Sequence, residues 1–203
     1  MSHLIDAIEA ETRGDLASAA EHYRHLTESG SLVDRVGIYQ ALARCHEKLG
    51  DLKAAGPWRR RAGEGYLNLT DAEMPKDERQ YLALVEYRNA VQDLTGDDTL
   101  KEILGEYKQV LAENWKSGPE GLTHEGLFGG ILLARHGDYA AAMRYLFDAS
   151  ESMSEEATER GDLELREAAR RGYELAHEAA MKAGNMQIAQ VAKVRAFDLA
   201  QSR

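Results

Sequence analysis

One cysteine, three prolines, two tryptophans and three phenylalanines in 203 residues rule out several kinds of protein at once. With Cys45 alone no intramolecular disulfide can form, and a thiolate zinc site lacks its ligands. No segment approaches the roughly 18 uninterrupted apolar residues that a membrane span requires. The first residues, MSHLIDAIEAETRGDL, are acidic by position 6 and hold no apolar signal-peptide core, so a cytoplasmic location without membrane association is expected. Positive charge is also short, with 25 Lys and Arg against 35 Asp and Glu and a net charge of −10. The acid excess is spread evenly, 12 basic and 18 acidic residues up to position 100 and 13 and 17 beyond it. A phosphate-binding surface needs concentrated basic side chains, so no nucleic-acid partner is expected.

Catalytic and cofactor signatures are missing as well. There is no Gly-rich phosphate loop, no HExxH and no serine in a strand–turn–helix context. Close carboxylate pairs such as Glu155 and Glu156, or Asp97 and Asp98, fall where they answer helix N-termini. Among the seven histidines, His22 and His25 stand at i, i+3, a spacing able to hold a metal, but no third ligand follows them in the sequence. The expectation is a non-enzyme with no catalytic residue, no cofactor and no metal. His46 and His177 read as half-buried spacers between helices. The basic run Trp58-Arg59-Arg60-Arg61 and the pair Arg170-Arg171 spread their charges over different helix faces and make no patch by themselves.

What is present is punctuation. Gly-Asp followed by an apolar residue occurs at Gly14-Asp15-Leu16, Gly50-Asp51-Leu52, Gly137-Asp138-Tyr139 and Gly161-Asp162-Leu163, with a variant at Gly96-Asp97-Asp98. Three of these open similar segments, GDLASAAEHYRHL, GDLKAAGPWRRRA and GDYAAAMRYLFDA, which place Ala19, Ala55 and Ala142 at one offset from the glycine and Leu26, Ala62 and Ala149 on the same face. Glycine supplies the left-handed backbone that ends one helix, and aspartate accepts from the unpaired amides that open the next. Small alanines at the crossing let two helix axes approach. Tyr39, Leu42, Ala43 and His46 precede Gly50 at helical spacing, and Gly129, Gly130 and Leu133 take matching places before Gly137, where the glycines read as close-packing sites. In the last segment Tyr173 and Ala176 precede Gly184, Asn185 replaces aspartate as the cap, and Ala189 and Ala196 follow.

This arrangement of aromatic, turn Gly, Ala and bulky residues resembles the tetratricopeptide repeat across nearly the whole chain. The turn glycines lie farther apart than the roughly 34 residues of the standard unit. Arg59 stands where that family prefers an aromatic, and the closing proline is absent. The resemblance implies a single all-α domain over 1–203, a right-handed superhelical solenoid of about five antiparallel helical hairpins. The hairpins are expected at 2–13 with 16–28, 32–49 with 52–69, 75–95 with 99–115, 121–136 with 139–155, and 158–183 with 186–201. Pro57 is expected to kink its helix or delay its start to Gly56. Residues 70–78 and 116–126, with Pro75 and Pro119, read as loops, and Thr70 with Glu73 and Ser152 with Glu155 as capping boxes.

In such a solenoid the first helix of each hairpin lines the concave face. Counting back from each turn places Gln40, Arg44, Arg88, Gln92, His124, Leu127, Ile131, Arg171, Glu174 and Glu178 on the stripe that meets a ligand. Arg and Gln interrupted by an apolar patch suit a protein or peptide partner, including one with an acidic group. The Lys and Asn set with which relatives clamp a C-terminal carboxylate is not found. The functional expectation is an adaptor or scaffold binding a partner in its groove. Self-assembly through Val191, Val194 and Phe197 on the last helix is the alternative, and a helical-solenoid enzyme or small-molecule regulator is a third.

Overall fold

The computed structural model describes residues 2–93, 98–115 and 122–201. They form ten helices: α1 (Ser2–Thr12), α2 (Leu16–Arg24), α3 (Leu32–Lys48), α4 (Leu52–Leu67), α5 (Lys76–Asp93), α6 (Asp98–Trp115), α7 (Leu122–Arg135), α8 (Tyr139–Arg160), α9 (Leu163–Lys182) and α10 (Met186–Gln201). No strand occurs among the described residues. The chain divides into two compact units, Met1–Asn114 and Trp115–Arg203. Consecutive helices pack on one another from α1 to α5 in the first and from α7 to α10 in the second.

The Gly-Asp turns work as their chemistry requires. At Gly14, Gly50, Gly137, Gly161 and Gly184 φ lies between 65° and 82°, the left-handed region that side chains resist. At Gly50 the amide donates to the Glu47 carbonyl, and the amide of Asp51 donates to the His46 carbonyl. These two bonds close a Schellman motif and satisfy the last carbonyls of α3. The Asp51 carboxylate then accepts from the amide of Ala54 and caps α4. Asp15, Asp138, Asp162 and Asn185 cap α2, α8, α9 and α10 in the same way. Ala19, Ala55 and Ala142 have no exposed surface, as the crossing requires. In the first unit Ala7, Ala10, Tyr23, Leu42 and Cys45 share one core cluster, and burial pushes the Cys45 thiol up.

Several boundaries differ from expectation. Helix α2 ends at Arg24 rather than at 28, because Leu26 and Thr27 turn to i→i−3 bonds and the Thr27 hydroxyl also donates to the Arg24 carbonyl. The expected break at 155–158 does not exist. Helix α8 runs to Arg160, and the turn is Gly161-Asp162, which the expected helix 158–183 had passed over. Ser152 is therefore mid-helix, donating to the Asp148 carbonyl, and forms no capping box. Thr70 and Glu73 do meet, with amide and hydroxyl donating to the carboxylate, but they close a single turn and not a helix. Ser31 and Asp34 form a reciprocal capping box at the start of α3 that was not expected. Pro57 sits inside α4, which starts at Leu52 with no delay. Residues 122–126 of the expected loop are helical, and the Gly96-Asp97 turn lies outside the described residues.

Candidate interaction groove

In the second unit α7 and α9 approach each other over α8. The approach depends on missing side chains: a Cβ on Gly172 would stand 2.1 Å from the Ser150 hydroxyl oxygen and 3.0 Å from Leu127 Cδ1. On α7, a Cβ on Gly130 would fall 2.5 Å from Leu146 Cγ. The Ser150 hydroxyl, fully buried, donates to the Leu146 carbonyl and so adds no unpaired group to the interface.

Between the two helices lies an open groove of about 550 Å³. Its floor is Leu127 and Ile131 of α7 with Gly172, Ala168 and Leu175 of α9, and Leu163 stands at one end, 69% exposed. A second hollow of about 300 Å³ continues from it, sharing Ile131 and Leu175 and adding Arg135, Tyr139, Glu178 and Lys182. The Lys182 ammonium rests 4.9 Å above the Tyr139 ring. Glu167, Arg171 and Glu164 form the polar rim. Glu167 accepts from Arg170 at 2.7 and 2.8 Å and from Arg171 at 2.9 Å. Those bonds, Arg170 first and Arg171 second, hold its carboxyl down at about 2.

Leu127, Ile131, Arg171 and Glu178 thus line one continuous hollow. Glu174 is turned to Arg170, and His124 is exposed on the first turn of α7. Leu163, Glu167 and Leu175 were not anticipated. Their signal is the i+4 row 163, 167, 171, 175, which emerges once Asp162 is taken as the cap of α9.

The same count leads elsewhere in the first unit. Gln40 of α3 donates to Glu86 of α5 at 2.7 Å and to the Tyr66 hydroxyl of α4 at 3.1 Å. Glu86, 5% exposed, also receives Arg59 at 2.9 Å, and the other edge of that guanidinium holds Glu47 at 2.7 and 2.8 Å. Burial works against the charge on Arg59, but the Glu47 hydrogen bonds and the Glu86 carboxylate outweigh it and raise its pKa. Arg59 is therefore a part-buried ionic tie between α3, α4 and α5. Arg60 turns to Glu64, Glu102 and Glu106, and Arg61 covers the Trp58 ring, so the three arginines serve three faces. Arg44 lies 3.9 Å from Glu11, Arg88 is half-buried, and Gln92 is exposed.

Among the described residues no helix is long and apolar enough to cross a membrane. No family model matches the chain, and comparison with curated proteins finds no match. Among solved structures, the crystal structure of BtubC (BKLC) from P. vanneervenii aligns at 13% identity and a TM-score of 0.42, over 98% of this chain and 91% of that one. The fold itself defines an all-α protein in which neighbouring helices pack on one another within each unit.

Proposed function

We propose that this chain is a non-catalytic adaptor of the tetratricopeptide type, a right-handed array of helical hairpins working in the cytoplasm, whose α7–α9 groove receives a short segment of a partner protein. The observation that carries the reading is the groove itself. Leu127, Ile131, Leu163 and Leu175 present apolar surface along one open channel, and the neighbouring charges are tied to one another on its rim. A groove of that form suits the spaced apolar side chains of a peptide. Arg135 and Lys182 beside the second hollow suit an acidic group at one end of the segment, whereas Arg171 is already held by Glu167.

Capture of partners from the native host by wild-type protein, Ile131→Glu and Leu175→Glu tests this. A partner held by wild type and lost from both variants, with their helical content unchanged, is expected. A partner captured equally by all three would overturn the assignment. Self-association is favoured by a separate observation: Val191, Val194 and Phe197 of α10 are 42%, 46% and 63% exposed at i, i+3, i+6. Light scattering over a wide concentration range decides it, since assembly through this face would be abolished by Phe197→Glu and a concentration-independent monomer would exclude it.

A further inference from the structure

His22 of α2 acquires in the fold the partners it lacks in the sequence. His3 and Asp6, one turn apart on α1, lie against His22 of α2, and one ligand atom from each of the three falls within 4.8 Å of the others. The Nδ1 atoms of His3 and His22 are 3.5 Å apart. Two nitrogens bound at about 2.1 Å to one tetrahedral zinc ion stand about 3.4 Å from each other, so this pair is already at the spacing of two ligands of one ion. The His25 ring, one turn after His22, stacks on that of His3 with centroids 5.0 Å apart and steadies its orientation.

We propose that His3, Asp6 and His22 form a site for a single divalent transition-metal ion of the zinc class. Two imidazole nitrogens and one carboxylate oxygen are the donor types that zinc accepts, and partial exposure leaves the fourth position to water. No ligand is a thiolate, so the site does not depend on the buried Cys45. An ion there would bridge α1 to α2. Helix α1 has 11 residues, too few for an isolated helix to persist in water, and it leaves Leu4, Ile5 and Ile8 exposed. Metal occupancy would therefore control how firmly α1 is held.

Titration calorimetry of the untagged full chain with zinc chloride, paired with amide hydrogen exchange over residues 2–12, tests the site. One equivalent of zinc is expected to bind and to slow exchange in α1. Asp6→Asn, His3→Ala and His22→Ala should each weaken binding by about tenfold or more. All three residues are partly or fully exposed, and Asp6→Asn keeps the side-chain shape, so these changes leave the fold in place. Absence of binding at tens of micromolar zinc would overturn the proposal. So would undiminished binding to His22→Ala, because the ligands would then not span the two helices.

Discussion

The two units apply one periodic rule and reach opposite results. In the first, the face of α3 that counts as ligand-binding is closed by Gln40, Glu86, Arg59 and Glu47, which tie α3, α4 and α5 together through part-buried ionic hydrogen bonds centred on the buried Glu86. In the second, α7 and α9 each pack closely on α8 through Gly130 and Gly172, the latter also meeting Leu127 of α7, and the charges pair within α9 at its surface. Polar groups brought inside must find partners across the interface, and finding them fills it. Small residues bring the backbones together and leave the larger apolar side chains beside them open. The difference explains why an open groove lies over α7 and α9 while Gln40 is consumed.

The largest expected effect is at the ionic tie. Arg59→Ala removes the cationic partner of the buried Glu86, leaving it only the Gln40 amide, and should cost about 3–5 kcal/mol in denaturant unfolding. Replacing both, Arg59→Met with Glu86→Leu, should recover most of that, since the cost comes from the stranded charge more than from the lost pair. A cost below about 1 kcal/mol for Arg59→Ala would place this network with ordinary surface pairs and erase the contrast. In the second unit the matching test is steric. Gly172→Ala forces a methyl into the Ser150 hydroxyl and should cost about 1–3 kcal/mol. Ser150→Ala in the same chain should return most of it by removing the obstructing oxygen, whereas a tolerated Gly172→Ala would mean that α8 and α9 are free to separate.

What the sequence reveals follows from how locally each feature is specified. A Gly-Asp dipeptide carries both the left-handed stop and the next N-cap, so Gly14, Gly50 and Gly137 are legible with no knowledge of tertiary contacts, as are the alanines that follow them. Gly161 carries the same signal, but the helix-forming residues on either side of it favour a continuous reading, and the register of α9 is lost with it. Leu127, Ile131, Arg171 and Glu178 follow from counting back from turns, whereas the row Leu163, Glu167 and Leu175 depends on the turn at Gly161. The tie from Arg59 to Glu86 spans 27 positions, and the meeting of His3 with His22 spans 19. Neither follows any helical period, because each depends on which helices the fold sets side by side.

Removal of a cap is a smaller perturbation that reaches the groove from one end. The Asp162 carboxylate accepts from the amides of Glu164 and Leu165 at 2.9 and 3.0 Å. Asp162→Ala should cost about 1 kcal/mol and speed amide exchange in the first turn of α9, where Leu163 and Glu164 stand at the groove's end. Asp15→Ala should also cost about 1 kcal/mol in the first unit, where the carboxylate accepts from the amide of Ser18 alone at 3.2 Å. Equal costs would show that the turns are interchangeable and that the units differ in their interfaces alone.

The smallest effect concerns the rim charges, which distinguish surface pairing in the second unit from the buried tie in the first. Arg170 and Arg171 depress Glu167 from the usual carboxyl value of 4.5 to about 2 in the folded chain. A group whose folded pKa lies below its unfolded one binds protons more readily when unfolded, so its contribution to stability is complete above the unfolded value. That contribution declines as pH falls from about 4.5 and is gone below about 2. Carboxyl-detected NMR titration should find the Glu167 midpoint near 2, and Arg170→Gln should raise it toward 4.5 and lessen the fall in stability between those two pH values. A midpoint that stayed low without Arg170 would assign the depression to Arg171, leave that arginine fully engaged on the rim, and narrow the candidates for meeting an acidic partner to Arg135 and Lys182.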